Sequence, residues 1–547
     1  MNSFARDMTP VIDLTRERGA GAVRHQHPVY VDLLPPCNAA CPAGENIQAW
    51  LALAQAGKYR AAWDALIRDN PLPAVHGRVC YHPCETSCNR KELDSAVSIH
   101  AVERFLGDLA MEQGWRMPVD KAARGKRVLV VGAGPSGLSA AYHLARLGHQ
   151  VEIHDAGPLP GGMLHFGIPA YRLPREDLMK EIGRIEQMGV RIVRNHKVEN
   201  LLAEKEAGHF DAVFVAIGAQ LGKHVDIPAR DAAKVFTAVS MLHGAETGQA
   251  PKLGRRVIVY GAGNSAMDAA RTARRLGAEE ALIVFIMDKS HMEAREFEAQ
   301  EAVDEGVKFR WLSSIKEIDP HEIRVEEMRL DEAGHAQPTG KFTTLKADSV
   351  VLALGQQAES AFLQNIPEIV RQADGTVVVG PNMMTGRAGI FAGGDMVPTE
   401  RSVTVATGHG KKAAYHIDAW LRGEIYEHPA KHPIIEFGGL NLPIYADAAR
   451  SVQHELPLVQ REHGFDEVVS GLSEKEALHE ARRCLSCGNC FECDNCYAAC
   501  PEDAIIKLGP KEGYEIKLDL CTGCGVCVAQ CPCHAMEMVS EPTEVRT

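Results

Sequence analysis

Cysteine is missing from the 395 residues between Cys88 and Cys484, which is most of the 547-residue chain. The 16 cysteines stand instead in three groups: Cys37 and Cys41; Cys80, Cys84 and Cys88; and eleven from Cys484 to Cys533. An exported disulfide scaffold is short and cysteine-dense throughout, so that class is excluded. Clustered Cys-x-x-Cys repeats in a long chain read as metal ligands. An apolar run of ~18 residues, which a membrane helix needs, is also lacking. So is a basic block: the net charge is −13, and nucleic acid is not an expected partner. The opening stretch MNSFARDMTPVIDLTRERGA has acids and arginines but no apolar core. No export signal is expected, and a cytoplasmic location is. No Ser-His-Asp spacing or paired-carboxylate pattern stands out, and the 24 histidines are scattered. No catalytic side chain is therefore assigned.

What is present begins with glycines. Residues 127–155 read RVLVVGAGPSGLSAAYHLARLGHQVEIHD. An apolar strand leads into Gly132-x-Gly134-x-x-Gly137, a helix-period stretch follows, and a second apolar strand ends on Asp155. This is a βαβ dinucleotide fingerprint in full context. The first glycine permits the turn, the second admits a pyrophosphate, the third packs helix on strand, and the acid takes a ribose hydroxyl. A second copy follows at 256–288, with Gly261-x-Gly263-Asn264-Ser265-Ala266 at its turn and Asp268 in the helix behind it. Two sites imply two nucleotides, a flavin and a nicotinamide, exchanging hydride.

The length predicts roughly three or four domains. Residues 1–30 show little pattern and are expected to be an arm. Residues 31–120 are expected to be a small helical domain carrying the first cysteines on loops. The first nucleotide domain is expected at 125–248, the second at 249–346, and the remainder of the first at 347–428. That division rests on DSVVLALG at 348–355, which echoes DAVFVAIG at 211–218, and on GIFAGGD at 389–395. The Gly- and Pro-rich loop 157–174 is too apolar for a solvated linker and is expected to fold over a ligand. Residues 429–480 are expected to link to a tail at 481–547.

In the tail, Cys490-x2-Cys493-x2-Cys496-x3-Cys500-Pro501 is repeated as Cys521-x2-Cys524-x2-Cys527-x3-Cys531-Pro532. In this bacterial ferredoxin run the fourth cysteine ligates the other cluster. One [4Fe–4S] cluster is therefore expected on Cys490, Cys493, Cys496 and Cys531, and another on Cys521, Cys524, Cys527 and Cys500. Structural zinc sites rarely call for eight cysteines with crossed Cys-Pro endings.

Residues 35–425 are similar to the small subunit of glutamate synthase and its relatives, including the N-terminal half of dihydropyrimidine dehydrogenase. The likeness is carried by CPAGENIQAWL, GRVCYHPCETSC, GAGPSGLSAAYHLARLGH, GGMLHFGIPAYRLP, GAGNSAMDAARTARRLGA and GIFAGGD. The resemblance implies an α/β fold with a helical iron–sulfur domain and two Rossmann-like domains, the NAD(P) domain inserted in the FAD domain; the duplicated cysteine run adds a small α+β ferredoxin-like tail. It also implies two [4Fe–4S] clusters in the helical domain. The family's R-C-L-x-C pair does not precede Cys37, but Arg483-Cys484-Leu485-Ser486-Cys487 matches it. One cluster would then use Cys37, Cys88, Cys484 and Cys487. The other would use Cys41, Cys80, Cys84 and, as a non-cysteine ligand, Glu103. Cys533 is left over. Fewer clusters or a zinc remain open for the N-terminal group, and a solvated acid remains open for Glu103. By motif, FAD would meet Gly132, Gly134, Gly137, Asp155, Gly162, Leu164, Arg172, Val198, Gly394 and Asp395. A surface salt bridge is the other reading of Arg172.

NADPH-using members of that family usually place an Arg-Arg pair after the second strand of the nicotinamide domain. Here the place reads Phe285-Ile286-Met287-Asp288-Lys289, and an acid such as Asp288 accepts a 2′-hydroxyl and repels a 2′-phosphate. NAD(H) is expected over NADP(H), with Lys289, Arg271, Arg274 and Arg275 as the residues that would reverse this. The expected function is an electron-transfer flavoprotein subunit of a hetero-oligomer. It would pass electrons between NADH, FAD, four [4Fe–4S] clusters and a redox partner at the ferredoxin-like tail. The partner would be a low-potential oxidoreductase or ferredoxin. The alternatives are a true glutamate synthase small subunit and a non-catalytic iron–sulfur scaffold.

Overall fold

The computed structural model describes residues 24–541 except 120, 121, 123, 124, 224, 226, 231–233 and 511. Short helices from Pro36–Ala40 to Ile99–Glu112 form the helical domain. Its core of Trp50, Leu51, Leu66 and Leu106 also takes in Ala481 and packs against Cys484. The first nucleotide sheet has five parallel strands, in the order Ile390–Ala392, Ala212–Val215, Arg127–Val131, Gln150–His154 and Arg191–Val193. The central strands are apolar from Val128 to Val131 and from Ala212 to Val215, as expected where helices cover both faces of a parallel sheet.

The second sheet runs Lys308–Arg310, Glu280–Val284, Arg256–Tyr260, Ser349–Leu352, Val235–Thr237, again all parallel. This corrects the expected boundaries at 248/249 and 346/347, because strands on both flanks belong to the inserted domain. The echo between 211–218 and 348–355 is real, but it marks equivalent strands of two domains. Asp211 Oδ2 accepts from Arg127 N and Asp348 Oδ2 from Arg256 N, each at 2.8 Å. A three-stranded antiparallel sheet, Ser313–Ile318, Glu322–Leu330 and Ala336–Lys346, packs beside the second sheet.

Two further expectations change. Residues 26–30 are not part of an arm: Gln26–Tyr30 pairs antiparallel with Met536–Ser540 of the tail, from Gln26↔Ser540 to Tyr30↔Met536. The 429–480 stretch does not end as a linker. Its last residues join the helix Glu474–Arg482, started by a Ser473/Glu476 capping box and packed on Ile47–Gln55 and Ile99–Glu112. Glu480, fully buried, accepts from Ser98 N and Ser451 N and pairs with Arg483. No helix among the described residues is long and apolar enough to cross a membrane.

Candidate functional site

A single cavity of about 510 Å³ is lined by both glycine turns. At the first, Gly132 has φ +105°, and an added Cβ would lie 2.5 Å from Ala216 O. At the second, Gly261 has φ +128°, and a Cβ would lie 2.2 Å from Ala353 O. Each turn is thus pressed against the end of a neighbouring strand, where only glycine fits. Gly137 packs its helix on the turn: a Cβ there would lie 1.9 Å from Gly132 O. Gly134 has open space in front of it.

Asp155 fastens the first turn. Its carboxylate accepts from Ala133 N at 2.6 Å and from Gly157 N at 2.7 Å. The cavity wall also includes Gly162, Leu164, Arg172, Val198, Gly394 and Asp395 from the first domain, and Gly263, Asn264, Ser265 and Asp268 from the second. Burial pushes the Asp395 carboxyl up to about 6, with Arg401 working against it. The Gly- and Pro-rich loop lines the cavity, in part through the short helix Met163–Phe166.

The cavity fits a bound pyrophosphate group. Ser136, in the first turn of helix Pro135–Arg146, is 3% exposed and its Oγ has no hydrogen-bond partner. An unpartnered buried hydroxyl beside free helix-start amides is a donor set suited to phosphate oxygens. The fingerprint contains Ser136, but its spacing alone gave no reason to single it out.

Three expected residues behave differently from their neighbours. Arg172 is not a surface salt bridge: its side chain is 11% exposed, and Nη1 donates to both oxygens of Asp268, at 2.9 and 2.8 Å, while Nη2 donates to Glu298. Asn264 turns its side chain toward the helical domain. Asp288 lies outside the cavity wall, half-buried, and accepts from Ser290 N, Ser290 Oγ and His291 Nδ1.

The cysteines assemble as four sets. Cys37, Cys88, Cys484 and Cys487 line one small cavity although 395 residues lie between the middle two. Burial pushes the Cys37 thiol well up, and the neighbouring sulfurs of Cys484, Cys88 and Cys487 add to it. The same burial takes Cys484 to about 12 and Cys487 to about 11. Such thiols form thiolates readily only with a cation among them, which is the donor chemistry of an iron–sulfur site. Cys500, Cys521, Cys524 and Cys527 line a second small cavity. Cys490, Cys493, Cys496 and Cys531 form a third set, in which the last three help burial raise the Cys490 thiol.

The fourth set is Cys41, Cys80 and Cys84. Glu103 is near enough for its charge to raise the Cys41 and Cys80 thiols, and at 5% exposed it is not a solvated helix acid. Sequence reading missed Glu45, a second buried carboxylate beside Cys41 and Cys80. Asn70 Nδ2 donates to Glu45 Oε1 at 3.1 Å and to Glu103 Oε1 at 2.7 Å.

Backbone geometry repeats across the sets. Asp494 and Gly525, each within a Cys-x-x-Cys, share a left-handed conformation, φ 67° and 75°, and each starts a short helix. Amides also donate to sulfur, as Ala504 N does to Cys500 Sγ and Ala535 N to Cys531 Sγ, both at 3.2 Å. Cys533, outside all four sets, donates to Asn489 O at 3.1 Å.

Residues 126–410 match the family described as Pyridine nucleotide-disulphide oxidoreductase. Residues 33–115 match Dihydropyrimidine dehydrogenase domain II, 4Fe-4S cluster, and residues 489–535 match 4Fe-4S dicluster domain. Fold, cavity and cysteine sets together define a flavin- and pyridine-nucleotide-type oxidoreductase with iron–sulfur domains at both ends. The chain belongs to the pyridine nucleotide-disulphide oxidoreductase family. It is 32% identical to the NADP(+)-dependent formate dehydrogenase subunit beta of Moorella thermoacetica, over 86% of this chain and 73% of that one. It is also 32% identical to the NADPH-Fe(3+) oxidoreductase subunit beta of Geobacter sulfurreducens (strain DL-1 / KN400), over 83% and 75%. With the glutamate synthase [NADPH] small chain of Escherichia coli (strain K12) it shares 30% identity, over 71% and 89%.

Proposed function

We propose that the chain is an electron-transfer subunit that exchanges electrons between NADH and a redox partner protein, using FAD and four [4Fe–4S] clusters. One observation carries this reading: a single cavity is walled by both glycine turns and by Val79 and Tyr81, the two neighbours of Cys80. Thr404, at the start of the helix Val403–Leu421 behind the cavity, donates from Oγ1 to Cys80 Sγ at 3.1 Å. When bound, the flavin supplies the exchange between hydride and single electrons, and the clusters supply one-electron conduction.

The chain's own residues would hold these groups. Gly132, Gly134, Gly137 and Asp155 would cradle FAD, with Ser136 Oγ donating to a phosphate oxygen. Gly162, Leu164, Arg172, Val198, Gly394 and Asp395 would surround the rest. Gly261, Gly263, Ser265 and Asp268 would form the pyridine-nucleotide site, with Asn264 at the start of its helix and Asp288 beyond the cavity wall. The cysteine sets, with Glu103 on Cys41, Cys80 and Cys84, would ligate the clusters. Gly488 and Asn489 alone separate Cys487 from Cys490, so the helical-domain set passes directly into the tail sets. Cys490 and Cys524 are exposed, which supports the tail as the face offered to a partner.

NADH is the proposed nucleotide. Residues 285–289 contain no arginine. The arginines of the neighbouring helix are already engaged: Arg271 and Arg275 with Glu305, and Arg274 with Ala278 O. The Moorella and Geobacter relatives carry NADP and NADPH in their names, which speaks for the opposite choice. Anaerobic turnover with NADH and NADPH against one artificial acceptor tests this, and a tenfold preference for NADPH overturns it. As to the partner, the formate dehydrogenase relative spans 86% of this chain and the glutamate synthase relative 71%, which supports a low-potential oxidoreductase over a glutamine-cleaving subunit. Copurification from cell extract identifies it.

A further inference from the structure

Tyr81 belongs to the helical domain, between Cys80 and Cys84, yet it reaches the wall of the nucleotide cavity. Its hydroxyl accepts a hydrogen bond from Asn264 Nδ2 at 2.6 Å. Asn264 is the first residue of the helix Asn264–Arg275, directly behind the second glycine turn. The other end of its amide, Oδ1, accepts from Arg295 N at 2.9 Å. The Arg295 guanidinium lies over the Tyr81 ring, 5.0 Å from its centroid. His82, next in sequence, stacks between His100 of its own domain at 3.8 Å and Phe297 of the nicotinamide domain at 5.9 Å. Tyr81 and His82 thus form a tongue from the cysteine loop, gripped by Asn264, Arg295 and Phe297.

Resting on the function proposed above, we infer that Tyr81 is a positioning residue for the pyridine nucleotide. Both ends of the Asn264 amide are engaged by protein, so its side chain orients the helix start. A helix N-terminus binds phosphate only when its free amides converge on one place. Tyr81, acting through Asn264, fixes that convergence against the cysteine loop. Nucleotide affinity therefore depends on a residue of the iron–sulfur domain.

The test uses the full chain, purified without oxygen, as the parent and as Tyr81→Phe, Asn264→Ala and the double variant. Calorimetry gives the dissociation constants of NAD+ and NADP+, and iron and flavin are assayed beside them. Loss of one neutral hydrogen bond predicts that Tyr81→Phe weakens binding by about 3- to 10-fold, with iron and flavin at parental levels. The double variant is expected to bind no more weakly than Asn264→Ala alone, because the two residues act as one unit. Parental affinity in Tyr81→Phe, fully additive effects, or loss of iron from Tyr81→Phe would each overturn the inference. A parent that binds neither nucleotide overturns the proposed function itself, and this inference with it.

Discussion

Arg172, on the loop over the cavity, and Asp268, on the helix behind the second glycine turn, are joined by a two-oxygen ion pair at 2.9 and 2.8 Å. It crosses from one nucleotide domain to the other and is 11% and 8% exposed at its two side chains. Glu298, almost fully buried, completes it. Together with the Tyr81–Asn264 hydrogen bond, it ties the nicotinamide-domain helix at two points to the rest of the molecule.

Removing Arg172 leaves two buried carboxylates without their cation. Arg172→Ala is expected to destabilise the chain by about 3–5 kcal/mol, the usual consequence of breaking a buried pair from one side. Thermal unfolding checks this, and KM for the pyridine nucleotide should rise with it.

Cys88 and Cys487 lie far apart in sequence and in one cysteine set. Cys88→Ser and Cys487→Ser should each abolish the same cluster, and the double variant should lose no more iron than either. Iron assay and low-temperature electron paramagnetic resonance read this out. Loss of two clusters in the double variant would separate the residues.

Tyr30, on the strand Gln26–Tyr30, places its hydroxyl 3.3 Å from Cys496 Sγ and stacks on Tyr514. Hydrogen bonds to ligand sulfur help set cluster potentials. Tyr30→Phe should make one tail cluster harder to reduce, seen as a more negative midpoint in a potentiometric titration, with iron content unchanged.

Glu181 is fully buried and accepts from Ala74 N and Val75 N at the start of the helix Pro73–Val79. Burial raises its carboxyl from 4.5 to about 7. The folded chain therefore holds this proton more tightly than the unfolded one. Stability from this group is full below pH 4.5 and is lost as pH rises through about 7, on the order of 3 kcal/mol in all. Melting temperatures across that window should fall more steeply for the parent than for Glu181→Gln.

The glycine turns, the strands beside them and the tail cysteines were legible because their signals are local and strictly spaced. The domain boundary was not. The stretch 348–355 resembles 211–218 because both are the strand whose end presses on a first glycine, and sequence cannot say to which copy a strand belongs. The pairing of Gln26–Tyr30 with Met536–Ser540 left no local trace, since five residues carry little pattern and their partner lies at the other end of the chain. The set of Cys37, Cys88, Cys484 and Cys487 was reached through resemblance, because spacing alone cannot join residues that far apart. Asp268 and Asn264 were expected at the nucleotide, and both line the cavity. Their side chains nonetheless bind protein, a competition that only three-dimensional neighbours reveal.

The most direct measurement is an anaerobic titration of the purified chain with NADH, following flavin absorbance and iron–sulfur signals together. The expected result is a brown-yellow protein carrying FAD and iron, in which NADH bleaches the flavin band and then reduces clusters. A protein that holds both cofactors yet shows no change in either signal with NADH or NADPH would contradict it.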